Sequence, residues 1–145
     1  MALYINDRYR IRRNVAQEEN MKYLIQELNV FQSYSQILVI SALIGYINDA
    51  SSEFTKSDTV LMNSFNRRSY DIMDFIAYAC TKNQSLLTSE ESTEKYRYFE
   101  NFANGGFPIL VKKLGVNFDD KTKNDRFAIL RKYYMMLITK DFKEL

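Results

Sequence analysis

The chain has 145 residues, of which 46% are hydrophobic and 26% charged, so it is long enough to bury a core and is not a disordered polymer. It contains no histidine and a single cysteine, which excludes histidine-dependent nucleophiles, the usual zinc sites and an intrachain disulfide. The formal net charge of +2 is too small by itself to indicate a nucleic-acid partner.

The first predicted element is a short basic strand. "YRIRR" at residues 9–13 alternates between Arg and β-forming residues, so basic and apolar side chains would lie on opposite faces. The later segment "TVLM" could pair with it, giving a two-stranded ribbon of residues 8–13 with 58–62 that needs helix packing to be stable. We describe the chain as one helical domain, 1–145, with a basic N-terminal arm, 1–14, that carries four Arg and one Asp.

Two helices are predicted next, each beginning at a capping-box pattern. Asn14 with Gln17 predicts the start of a helix that ends near Leu28. Ser33 with Gln36 predicts the start of a second helix. "NDASS" then ends this second helix with turn-forming residues.

The second helix contains an uncharged run, Ile37–Ile47. A membrane-spanning helix needs roughly 20 apolar residues, and this run is about half as long. We therefore expect a buried central helix, with a partner-facing patch as the alternative. Its small residues Ser41, Ala42 and Gly45 predict the close approach of another helix. No secretory signal is recognised either, and we expect a cytoplasmic bacterial-type protein.

Two further helices are predicted in the middle of the chain. "SYDIMDFIAYACTK", residues 69–82, has apolar side chains at helical spacing, and Cys80 within it is expected to be a buried, inert thiol. Thr88 with Glu91 forms a third capping box for the next helix. That helix is expected to end near Asn104.

The segment "NGGFPILVKKLG" predicts a break between helices. We expect Gly105 to take the left-handed conformation that ends one helix, and Pro108 to lie in the first turn of a short new helix that ends before Gly115. A last helix follows in "NDRFAILRKYYMMLITK". Its inward face is expected to consist of Phe127, Leu130, Tyr134, Leu137 and Ile138. The predicted fold class is thus mainly α, with five to six helices in one compact domain.

Arginines form the sharpest candidate site. Arg is the favoured side chain for phosphates and carboxylates because its planar fork makes two hydrogen bonds at once. A solvated arm is the alternative to a site that binds DNA or an acidic partner. The candidate residues are Arg8, Arg10, Arg12, Arg13, Arg67 and Arg68.

Catalytic groups are sparse. Asp71 and Asp74 lie three residues apart on one helix and are the one local pair that could hold Mg²⁺ or act as acid and base. "ENFANGG" lacks the trailing Lys-Ser or Lys-Thr of a phosphate-binding loop and does not follow a strand. We therefore expect no enzyme activity, no cofactor and no metal.

Three segments, "YRIRRNVAQEENMKYLIQEL", "FQSYSQILVISALIGY" and "KYRYFENFANGGFPILVKKL", together resemble a known family. In order and spacing they are similar to the small bacterial DNA phosphorothioation-associated protein 4 family. The matching residues are Arg10–Arg13, Tyr34–Tyr46 and Glu100–Gly106, and the resemblance covers residues 8–114. Residues 51–64 depart from the family by being less basic.

The resemblance implies an accessory component of an anti-phage system based on DNA sulphur modification and linked restriction. Its expected partners are nuclease or ATPase subunits, and double-stranded DNA could be a further one. No membrane partner is expected, and the chain could form a homo-oligomer. The alternatives are a freestanding DNA-binding regulator and a carboxylate-metal nuclease.

Overall fold

A computed structural model describes residues 5–88 and 93–144 of the chain. These residues form six helices and two strands, in agreement with the predicted fold class. The elements are β1 (Arg10–Asn14), α1 (Glu18–Lys22), α2 (Tyr34–Ile47), β2 (Ser57–Leu61), α3 (Arg67–Thr81), α4 (Ser85–Thr88), α5 (Glu94–Leu114) and α6 (Arg126–Thr139). Of the predicted capping box, Glu91 lies outside the described residues, while Thr88 is the last residue of α4 and the next helix begins at Glu94. No helix in the described part is long and apolar enough to cross a membrane.

The predicted ribbon is confirmed, with its ends shifted by one or two residues. β1 and β2 pair antiparallel, and Arg10 lies opposite Leu61 in the register. β1 alternates as expected, because Arg10 is exposed and Ile11 is fully buried. β2 exposes most of its side chains and forms the outer strand of the ribbon.

The predicted first helix is also helical, but in three different forms. A 3₁₀ turn (Val15–Gln17) leads into α1, and a π-helical turn (Tyr23–Glu27) follows it. Asn14 caps the start, where its side chain accepts a hydrogen bond from the Ala16 amide. Met21 and Leu24 are buried in the core.

α2 is the buried central helix that the sequence predicted. Ser33 caps it, since its hydroxyl accepts a hydrogen bond from the Gln36 amide at 3.3 Å. The helix packs mainly against α5, and the two backbones touch at glycines. A Cβ added to Gly45 would overlap the carbonyl of Phe102, and one added to Gly106 would overlap that of Ser41. The predicted close approach of a helix at the small residues is confirmed.

The predicted break near Gly105 is wrong. α5 is one continuous helix of 21 residues that includes both glycines and Pro108. Gly105 and Gly106 have ordinary helical φ angles, and their role is to let α2 and the backbone at Ala50 come close. The helix ends as predicted at Gly115, which has a left-handed φ of 69°.

Two expectations about side-chain burial are also wrong. Cys80 is exposed rather than buried. In α6 the buried residues are Ile129, Tyr133 and Met136, whereas four of the five residues expected to face inward are at least 36% exposed. α6 has apolar side chains all round its circumference, so their spacing could not indicate which side meets the core.

Candidate nucleic-acid interface

The six candidate arginines divide into two groups. Arg12 is half-buried and Arg13 is 5% exposed. The other four are exposed: Arg8, Arg10, Arg67 and Arg68. We call these four residues the basic end.

Two contacts link the elements that carry the basic end. Arg10 of β1 lies opposite Leu61, the last residue of β2. A single 3₁₀ turn leads from there to α3, and Tyr70 of α3 fixes that turn by donating its hydroxyl to the Met62 carbonyl at 2.7 Å. Burial and the nearby carboxylate of Asp7 raise the pKa of Tyr70. Arg10 on β1 and Arg67 and Arg68 at the start of α3 are thus connected through β2 and one short turn.

The local backbone adds to the positive potential of the basic end. α3 begins with Asn66, whose side chain accepts a hydrogen bond from the Ser69 amide at 2.9 Å. Arg67 and Arg68 are the first two residues of this helix. The N-terminus of a helix carries a partial positive charge that favours phosphate. Exposed arginines beside it form a surface that suits an anion.

The other two arginines bind to the protein itself. Arg12 donates from Nε to Ser57 Oγ and from Nη2 to the Phe54 carbonyl, both at 3.2 Å, and its guanidinium lies 5.0 Å from the centre of the Phe54 ring. These contacts connect β1 to the first residue of β2 and to the loop before it. Arg12 thus holds the ribbon in place.

Arg13 is the more deeply buried of the two. Its Nη2 donates to Glu18 at 2.8 Å and to Asp58 at 3.2 Å, and its guanidinium lies 4.1 Å from the centre of the Tyr34 ring. The hydrogen bond from Arg13 lowers the pKa of Glu18. Arg13 therefore connects β1, α1, β2 and α2.

A buried carboxylate lies beneath the ribbon. Glu100 of α5 is 2% exposed and accepts hydrogen bonds from the Tyr9 hydroxyl at 2.5 Å and the Arg12 amide at 2.7 Å. Burial raises the pKa of Glu100 above its ordinary value of 4.5, although both hydrogen bonds oppose the shift. The Tyr9 ring stacks on Tyr96 with 4.6 Å between ring centres. Glu100 thus positions the start of the strand that carries Arg10.

Asn104, one turn further along α5, forms a second group of hydrogen bonds between this helix and distant segments. Its Oδ1 accepts from the Asn14 side chain at 2.8 Å, and its Nδ2 donates to the Ser52 carbonyl at 2.9 Å. Its backbone carbonyl would ordinarily accept from the amide of residue 108, but Pro108 has no N–H. Gln17 Nε2 donates to this carbonyl instead, at 3.1 Å. This substitute hydrogen bond explains how the helix continues past a proline.

The sequence did not predict the hydrogen bonds of Glu100 and Asn104, although the residues that form them lie in the segments that carried the family resemblance. Glu100 and Asn104 belong to the third segment, and Tyr9, Arg12 and Asn14 belong to the first. The structure brings the two segments together. The available signal in the sequence was Glu100, an acidic residue between Phe99 and Phe102 on a predicted helix. An acid at such a position needs hydrogen-bond partners when it is buried.

The candidate carboxylate pair is placed as follows. Asp74 lies 3.1 Å from the ammonium of Lys95, which is 1% exposed. Asp71 is half-buried and has interactions of its own. Within the part of the chain that the structure describes, no three or more acidic or thiol side chains are grouped so that they could hold a metal ion.

Comparison with known proteins identifies one family. The family model described as DNA sulphur modification system-associated protein 4 matches residues 10–138. No curated protein and no solved structure matches the chain.

Proposed function

The chain belongs to the DNA sulphur modification system-associated protein 4 family, and from this premise we propose that it is a non-catalytic accessory subunit of such a system. It would bind larger nuclease or ATPase subunits in the cytoplasm and contact the DNA backbone through the basic end. The role of the system in separating self from phage DNA is part of the same proposal.

The exposure of four arginines on a rigid support is the observation that carries the DNA contact. Arg10 extends from a ribbon held by Glu100 and by Arg12, and Arg8 extends from the turn that precedes it. Arg67 and Arg68 extend from the first turn of α3. Because the backbone that carries them is already folded, the arginines lose only side-chain freedom when they bind phosphate. Phosphate contacts of this kind position a protein on DNA without reading its sequence.

The non-catalytic part of the proposal is supported by the chemistry of the side chains. The chain has no histidine to act as a general base near neutral pH. Reduced hydration of the sulphur and the Asp49 carboxylate raise the pKa of Cys80, although the residue is exposed, and this favours its unreactive thiol form. The ammonium of Lys95 lies 3.1 Å from Asp74, so this carboxylate is already paired with a cation of the protein itself.

DNA binding is tested with a labelled duplex at low salt. We expect the unaltered protein to bind, and the variant in which Arg8, Arg10, Arg67 and Arg68 are all replaced by Ala to lose binding. The matched control removes four exposed or half-exposed lysines elsewhere: Lys112, Lys123, Lys132 and Lys143. Equal losses in the two variants would overturn the assignment to the basic end. Plain and phosphorothioate duplexes should bind alike, because sulphur replaces one phosphate oxygen without changing the charge of the linkage.

Membership of a complex is tested separately. Co-expression with the proteins of the DNA sulphur modification system, followed by size-exclusion chromatography, should show the chain eluting with a larger subunit. Elution as a separate small protein in every combination would contradict the accessory role.

A further inference from the structure

α6 exposes several large apolar side chains to solvent. Phe127 is 76% exposed, Tyr134 55%, Met135 51% and Ile138 74%. Three of these residues follow a spacing of seven and four residues, which places them on one line along the helix. Contiguous exposed apolar residues of this kind mark interaction sites.

A groove lies beside this face, between α6 and the end of α5. Its volume is about 540 Å³, and its floor is made by Ile109, Met135 and Met136. Methionines suit a surface that must adapt to a partner's side chains. Lysines form the rim: Lys112, Lys113 and Lys132. We call this site the lysine groove.

The charge around the lysine groove is uneven. Lys113 lies 3.6 Å from Asp141, which together with Glu144 occupies one end. Among the described residues, neither Lys112 nor Lys132 has a carboxylate within salt-bridge distance. α6 itself contains basic residues and no acidic one. The surface therefore combines apolar contact area with two lysines, Lys112 and Lys132, that form no salt bridge with the described residues.

We propose that the lysine groove and the adjoining face of α6 bind an acidic amphipathic helix of a partner protein. This inference rests on the proposed role as an accessory subunit, and it states which surface the partner uses. Apolar side chains at helical spacing would lie on Met135 and Ile109, and flanking carboxylates would meet Lys112 and Lys132. The opposite charges would orient the partner helix and speed its association, while the apolar contact would supply most of the affinity.

The same charges argue against two other occupants. A second copy docked face to face would bring the lysines and arginines of one α6 against those of the other, which repel, and the groove offers two acids, Asp141 and Glu144, against three lysines. DNA presents phosphates but no apolar stripe, and it would leave Phe127 and Ile138 in water. The acidic helix is the occupant that satisfies both the apolar and the basic part of the surface.

The test uses the full chain and a fluorescent helical peptide whose leucine stripe is flanked by glutamates, with a control peptide that carries lysines instead. We expect saturable binding of the acidic peptide alone. Met135→Ser and the pair Lys112→Glu with Lys132→Glu should each weaken it by about tenfold or more, because they remove apolar contact and attraction respectively. Lys123→Glu with Lys143→Glu, a matched pair outside the groove, should leave the affinity unchanged.

Duplex binding separates this inference from the proposed function. Met135→Ser removes no charge, so the variant should bind DNA as the unaltered protein does. Equal binding of the two peptides, no binding of the acidic one, or displacement of the peptide by duplex would overturn the inference. A dimer in sedimentation that Met135→Ser dissociates would show that a second copy is the occupant and would overturn it as well.

Discussion

Arginines of one short segment have opposite roles, and burial decides between them. Arg10 and Arg13 are separated by two residues, yet the first is exposed and the second is 5% exposed between Glu18 and Asp58. The alternation of a strand predicted that the faces would differ. It could not predict that two carboxylates and the Tyr34 ring would surround Arg13, because these groups come from three separate elements.

Stability measurements distinguish the two arginines. Arg13→Ala should lower the free energy of unfolding by about 2–3 kcal/mol, because it removes charged hydrogen bonds and a buried side chain. Arg10→Ala should change it by less than about 0.5 kcal/mol, as is usual for an exposed residue. Denaturation in urea gives both values. Equal effects would show that Arg13 does not hold the elements together.

Glu100 should make stability depend on pH. The folded protein holds a proton on this carboxyl at a pH where the unfolded chain has released it, since burial raises its pKa. Stability from Glu100 is therefore fully present below pH 4.5 and is lost as pH rises through the raised value. Glu100→Gln cannot ionise, so its stability relative to the unaltered protein should increase with pH over this interval.

Urea denaturation of both proteins, from about pH 4 to about pH 8, measures this difference. Glu94→Gln, which alters an exposed acid in the first turn of the same helix, is the control and should show no such trend. A difference between Glu100→Gln and the unaltered protein that stays constant across this range would contradict the raised pKa.

At the scale of elements, α5 shows which sequence signals can mislead. Two glycines followed by a proline predicted a helix end and a new start. The structure uses Gly106 for close contact with α2, and Gln17 replaces the hydrogen bond that Pro108 cannot donate. Both explanations depend on residues distant in the sequence. Caps behave differently: Asn14, Ser33 and Gly115 were predicted correctly because their contacts lie within a few residues.

A double-mutant cycle tests the substitute hydrogen bond. Gln17→Ala should cost about 1 kcal/mol, because it leaves the Asn104 carbonyl without a donor. Pro108→Ala restores a backbone N–H, so Gln17→Ala in that background should cost less, with a coupling of at least about 0.5 kcal/mol. Urea denaturation of the four proteins gives the coupling. Additive effects would mean that Gln17 acts in another way.

At the scale of the whole molecule, the basic end and the exposed face of α6 are formed by different elements. The ribbon, the buried α2 and the mainly α fold were predictable, because hydrophobic spacing and caps are local signals. The separation of the arginines into exposed and buried groups was not predictable from the sequence. The identity of the outward face of α6 was not predictable either. Both depend on how elements pack, which one sequence does not reveal when a helix is apolar all round.

The salt dependence of duplex binding tests the central claim most directly. Each phosphate contact contributes about −0.9 to the slope of log affinity against log salt, so four arginines of the basic end should give a slope of about −3.6. Arg8→Ala with Arg10→Ala, and Arg67→Ala with Arg68→Ala, should each reduce its magnitude by about 1.8. Lys123→Ala with Lys143→Ala should leave the slope unchanged. A slope near zero for the unaltered protein, or one that the arginine pairs do not alter, would contradict DNA binding through the basic end.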